Sequence, residues 1–176
     1  FAQSRRVTRR PSGGRGHDGC LVFADLHYAL SLLGAGHANG AEAIARGLIA
    51  DAKAHPSAER RDAARNGALA AFGLIAFHEG DYGAAGRLLG AARDGLLAVG
   101  GSHAQRDLFE QAYAESLIRS GEHDRAAIVL LERLARRKGH NRFASRRLEK
   151  LGRLGKTASG LVAALAVAST PLAIAH

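Results

Sequence analysis

Two short stretches of the chain gather side chains that could hold a ligand. Asp25, His27 and Tyr28 lie within about one helical turn, and His103, Arg106, Asp107 and Glu110 recur at i, i+3, i+4 and i+7, with Gln111 at the edge of that row. On a helix the second set forms one polar stripe, opposite Phe109, Ala112, Tyr113, Ser116 and Leu117. An arginine in such a stripe can grip a carboxylate or phosphate with its planar fork, while a histidine beside it donates or accepts. The competing use is structural, with Asp107 paired to Arg106 or His103 and fixing the packing after Gly100-Gly101. Catalysis ranks below both, because no nucleophile is identifiable and no two groups stand at a spacing that pairs a nucleophile with its base. The expectation is therefore a non-enzymatic groove walled by Asp25, His27, Tyr28, His103, Arg106, Asp107, Glu110 and Gln111.

Metal and cofactor chemistry find little support. None of the nine histidines forms the i, i+4 pair with an intervening glutamate that marks zinc hydrolases. Cys20 is the only cysteine, so it has no thiol partner for a disulfide or a zinc site. The run Gly34-Ala35-Gly36-His37-Ala38-Asn39-Gly40 has no strand before it and the wrong spacing for a dinucleotide fingerprint; it reads as a turn between helices. No metal and no cofactor is expected.

The elements that must position these residues are helices. The composition is rich in Ala and Leu, lacks Trp and Met, and has 5% aromatics, which favours closely packed helices over sheet. Leu26, Ala29, Leu30 and Leu33 define a first helix from Phe23, and Ala41, Ile44, Ala45, Leu48 and Ile49 a second, which His55-Pro56 closes. Ser57 can cap a third helix, carrying Ala64, Ala68, Ala71, Phe72, Ile75 and Ala76 as far as Gly80. A fourth runs through Ala84, Leu88, Leu89, Ala92 and Leu96 and ends before Gly100-Gly101. Ser102 with Gln105 predicts a capping box at the start of the fifth. The sixth spans about 124–137, and a last basic helix contains Phe143, Leu148 and Leu151.

A repeat underlies this order. Gly36, Gly80 and Gly121 each end the first helix of a pair, and Ala41, Ala85 and Ala126 follow each at the same distance. The glycine supplies the left-handed turn and the alanine lets the second helix lie close. The period of 44 and then 41 residues exceeds the ~34 of a regular tetratricopeptide unit. The excess falls between the hairpins.

The net charge of +9 divides unevenly. Residues 1–20 carry +4, residues 132–156 carry +8, and the intervening helices carry −3. A nucleic-acid reading is therefore weak for the core and open for the flanks. The basic stretch Arg133–Lys156 has the competing reading of a solvated end cap, and Phe143 is its only aromatic. Residues 1–20 read as a disordered basic leader, 21–156 as the repeat domain, and 157–176 as an apolar tail. The tail is too short in uninterrupted apolar length to span a bilayer, and Pro171 breaks it further.

Three segments carry a family resemblance: VFADLHYALSLLGAG at 22–36, FHEGDYGAA at 77–85, and above all GGSHAQRDLFEQ at 100–111. Together they resemble the C-terminal part of the tetratricopeptide repeat protein 38 family over about Val22 to Arg153. The resemblance implies a tetratricopeptide-like α-solenoid and implies no particular activity. In that family a longer helical array precedes the Asp-Leu-His segment, so the chain is expected to be a fragment of a longer repeat protein.

The expected fold is thus all-α, a right-handed superhelical array of about three helix hairpins plus a terminal basic helix. The expected function is that of a cytoplasmic interaction scaffold holding a peptide, a protein or a small anionic ligand in a concave groove. Nucleic-acid or anionic-surface binding through the basic flanks is the first alternative. An enzyme using the His/Arg/Asp cluster is the second.

Overall fold

A computed structural model describes residues 19–136 and 141–154, and these residues form helices and their connections without a strand. The helices are α1 (Gly19–Gly34), α2 (Ala38–Ala54), α3 (Ala58–Glu79), α4 (Tyr82–Ala92), the short α5 (Leu96–Val99), α6 (His103–Arg119), α7 (His123–Arg136) and α8 (Arg142–Leu154). Helix α1 starts four residues before Phe23, inside the stretch read as leader. The rest of that leader and the apolar tail lie outside the described residues. No described helix is long and apolar enough to cross a membrane.

The turn residues behave as their chemistry requires. Gly36, Gly80 and Gly121 have φ of 76°, 84° and 83°, the left-handed region that a residue with a Cβ enters at a cost. Ala41, Ala85 and Ala126, five positions on, are completely buried. Ser57 accepts a hydrogen bond from the Arg60 amide, and Asp81 accepts one from the Ala84 amide. Both halves of the Ser102–Gln105 capping box form: the Gln105 amide donates to Ser102 Oγ at 3.3 Å, and the Ser102 amide donates to Gln105 Oε1 at 2.9 Å.

Packing follows chain order. α1 packs on α2, α2 on α3, α3 on α4, α4 on α6, α6 on α7 and α7 on α8, while α1 also meets α3. The 22-residue α3 is central and buries alanines and glycines around most of its circumference. Small residues permit this closeness. Val22 of α1 occupies the space a side chain at Gly67 would need, and a Cβ on Gly73 would lie 2.7 Å from Leu89 Cγ. Phe109, Leu117 and Leu130 are fully buried where α6 meets α7, each contributing roughly 1.5–3 kcal/mol of hydrophobic stabilisation.

One expected helix is broken. The segment read as continuous from Ala84 to Leu96 ends as α-helix at Ala92, tightens into a 3₁₀ turn over Arg93–Gly95, and resumes as α5. Gly95 abuts the Asn66 side chain, which fills the space its own Cβ would need. The break directs Leu96 and Val99 into the core against α1 and α3, and it sets the chain on course for the Gly100-Gly101 link.

Candidate functional site

The Gly100-Gly101 link has φ of 94° and 82°, so both residues occupy backbone conformations that suit glycine. The Phe23 ring of α1 lies where a Cβ of Gly101 would be. From the other side Arg106 Nη1 donates to the carbonyls of Gly100 and Gly101. Its Nη2 stands 3.4 Å from His103 Nδ1. Arg106 thus clamps the link onto the first turn of α6.

Beyond this clamp a cavity of about 1050 Å³ opens between the end of α4, α5, α6 and α7. Its walls include Leu96, Leu97, His103 and Arg106, together with a set of paired charges. Asp107 receives both terminal nitrogens of Arg133, and Gln111 Nε2 donates to the same carboxylate at 2.9 Å. Arg133 is only 3% exposed and lies over the Phe143 ring of α8, 5.2 Å from its centroid. Glu110 stands 3.5 Å from Arg133, 3.5 Å from Arg93 and 3.3 Å from Arg136. Glu132 pairs with Arg93 at 2.6 Å and with Arg136 at 3.6 Å. Burial alone would make Arg93 easier to deprotonate, but the hydrogen bond it donates to Glu132 and the charges of Glu132 and Glu110 outweigh it and raise its pKa above the ordinary arginine value.

Three arginines and three carboxylates therefore cancel within this network. Arg106 differs: among the described residues it makes no ion pair with a carboxylate, only bonds to backbone carbonyls and its contact with His103. Chemically the wall offers fixed, mutually neutralised charges, one guanidinium and one carboxylate (Asp94) outside that network, and an apolar edge. Leu97 supplies that edge at 72% exposure.

The residues singled out in the sequence separate into two groups. His103, Arg106, Asp107 and Glu110 line the cavity together. Gln111 stands behind them and holds Asp107. Asp25, His27 and Tyr28 are not among the lining residues. His27 Nδ1 is 3.0 Å from the Phe23 carbonyl, its ring lies 4.1 Å from that of Phe23, and Tyr28 is 66% exposed on α1. The sequence reading placed all eight in one groove; the link through Phe23 and Gly101 touches α1 at its N-terminal half. The expected Asp107 partners also differ, since Arg133 supplies the ion pair and Arg106 serves the backbone.

Arg93, Asp94, Glu132, Arg133 and Arg136 complete the wall and were not anticipated. One signal for Arg133 was present. It stands at i+7 from Ala126 and i+3 from Leu130, on the buried stripe of α7, and a charged residue in such a stripe calls for a buried partner.

A second cluster joins α8 to α6 and α4. Arg147 bonds Glu115 at 2.7 Å and lies 3.6 Å from the Phe143 centroid, while Arg119 bonds the same glutamate at 3.1 Å and lies over Tyr82. Burial opposes ionisation of Glu115, yet the hydrogen bonds from Arg147 and Arg119 prevail and hold its carboxyl below the ordinary value. Among the described residues no three His, Cys, Asp or Glu side chains are placed to hold a metal ion. No family model matches the chain, and no solved structure is significantly similar to it.

Proposed function

We propose that this chain is a non-catalytic binding module, a tetratricopeptide-like right-handed array of the repeat protein 38 type, that captures an acidic peptide segment of a cytoplasmic protein in the cavity between α5, α6 and α7. The observation that carries this reading is the contrast between Arg106 and its neighbours. Every other arginine of the wall faces a carboxylate, so Arg106 is the one guanidinium there left for an incoming carboxylate; Asp94 balances it in the sum over the wall but forms no ion pair with it. The exposed Leu97 gives an adjacent apolar side chain of the peptide a surface to cover. The helix order, with each hairpin turned by a left-handed glycine, supports the repeat reading.

The test is fluorescence polarisation with a labelled library of Asp- and Glu-rich peptides. A charge-assisted hydrogen bond contributes about 1.5–3 kcal/mol, so Arg106→Ala should weaken binding roughly tenfold to a hundredfold. Arg106→Lys, which keeps the charge without the fork, should fall between. Arg87→Ala, an exposed arginine of α4, is the control. Equal losses in Arg106→Ala and Arg87→Ala, with unchanged helical circular dichroism in both, would refute the reading.

A further inference from the structure

Most described arginines are spoken for. Arg46, Arg65, Arg93, Arg119, Arg125, Arg133, Arg136 and Arg147 each face a carboxylate. Helix α8 breaks that pattern. Arg142, Arg146 and Lys150 are exposed, and none is paired with a described residue. They recur at i, i+4 and i+8, so they form one stripe of about 12 Å along the helix axis. The helix carries five basic residues and one acid, Glu149, whereas residues 19–136 carry a small net negative charge. A shallow depression of about 250 Å³ beside Arg146 and Lys150 is floored by Ile118 and Leu151. Its one carboxylate, Glu115, is already engaged by Arg147 and Arg119.

We infer that the exposed face of α8 is a docking surface for the phosphate backbone of a nucleic acid duplex. The apolar side of α8 decides against a bilayer. Ala144 and Leu151 are buried and Phe143 and Leu148 pack on the core, so the described side chains of this helix leave no free apolar face to sink among lipid chains, as an interfacial helix does. Single strands are disfavoured for a related reason. They are held by stacking on open aromatic faces, and the only aromatic of α8, Phe143, is covered by the guanidinium groups of Arg133 and Arg147. A duplex needs neither. Over 12 Å one of its strands presents about three to four phosphates, matching three exposed cations. Such binding reads charge and not sequence.

The full chain is titrated against a short labelled DNA duplex at several salt concentrations, followed by fluorescence anisotropy. The triple variant Arg142→Gln, Arg146→Gln, Lys150→Gln leaves the buried face of α8 intact. It should weaken binding at least tenfold at low salt. It should also reduce the slope of log K against log salt by about 2.7, at about 0.9 for each lost phosphate contact. A matched variant of the leader, Arg5→Gln, Arg6→Gln, Arg9→Gln, should cost less. Three results would overturn the inference: a salt slope unchanged in the α8 variant, an equal loss in the leader variant, or binding to phosphatidylserine vesicles with none to the duplex. A fourth is loss of self-association in the α8 variant with duplex affinity retained, which would assign the stripe to a second copy of the chain.

Discussion

Replacing Arg133 is the sharpest test of how the groove wall is held. Its guanidinium is 3% exposed, meets both oxygens of Asp107 and stands 3.5 Å from Glu110. Arg133→Ala removes a buried cation and leaves Asp107, itself only 12% exposed, with a lost ion pair. Breaking such a pair from one side costs about 3–5 kcal/mol, because the remaining charge keeps its desolvation penalty and the neutral Gln111 amide that also bonds it does not replace the lost cation. For a chain of this size that corresponds to a fall in melting temperature of roughly 6–20 °C. Loss of the cover over Phe143 acts in the same direction. The double variant Asp107→Leu, Arg133→Met removes both charges and keeps the volume filled, so it should recover most of the loss. Guanidinium denaturation followed by circular dichroism at constant pH gives all the values, with Asp107→Leu alone closing the thermodynamic cycle. A loss below about 1 kcal/mol in Arg133→Ala, or a double variant no better than the single ones, would show that the pair is only a surface contact and that the wall is held by packing.

Two further predictions concern the links and the second cluster. Gly121→Ala forces an alanine to a φ of 83° with nothing within 4 Å of the new Cβ, and should cost about 1–2 kcal/mol; Gly101→Ala carries similar strain and must also displace the Phe23 ring, so it should cost at least about 1 kcal/mol more by thermal or chemical unfolding. Equal losses would mean that Phe23 does not brace the link. Glu115 has its folded pKa depressed by Arg147 and Arg119, so its contribution is fully present above its unfolded value of about 4.3 and is lost as pH falls through the folded value. Glu115→Gln should therefore be less stable than the parent at neutral pH, with the gap closing as the pH drops below about 4; a gap independent of pH would contradict the assignment.

What was legible in the sequence is what is decided locally. The left-handed glycines, the alanines behind them, the Ser57 cap and the Ser102–Gln105 box depend on neighbours within a few positions, and each takes the form its spacing predicts. The break at Arg93–Gly95 was hidden because its companion, Asn66, lies on α3, almost thirty positions away. The groove was half visible for the same reason. His103, Arg106, Asp107 and Glu110 share a stripe of one helix, so periodicity alone unites them. Whether α1 or α7 faces that stripe is a matter of tertiary placement. Arg133 reaches Asp107 across 26 positions of chain, and no spacing rule connects them.

Arg133 also explains why the terminal helix belongs to the groove and is more than a lid on its end. The same side chain binds Asp107 on the cavity wall and lies over Phe143, and Phe143 in turn lies under Arg147, which is tied to Glu115 on α6. α8 therefore returns to the helix that carries His103, Arg106 and Asp107, and is tied to it at Glu115, about two turns further along. An apolar residue at 133 could fill the same volume, and burial of an ion pair confers no general advantage in stability. What an apolar residue could not do is grip both oxygens of the Asp107 carboxylate, as the two-pronged bond to the guanidinium does alongside the single bond from Gln111. On this argument the buried pair is retained for the shape and charge pattern of the wall. The basic face of α8 then presents its charge from a helix anchored at Phe143 and Glu115, so that the groove and the stripe share one rigid support.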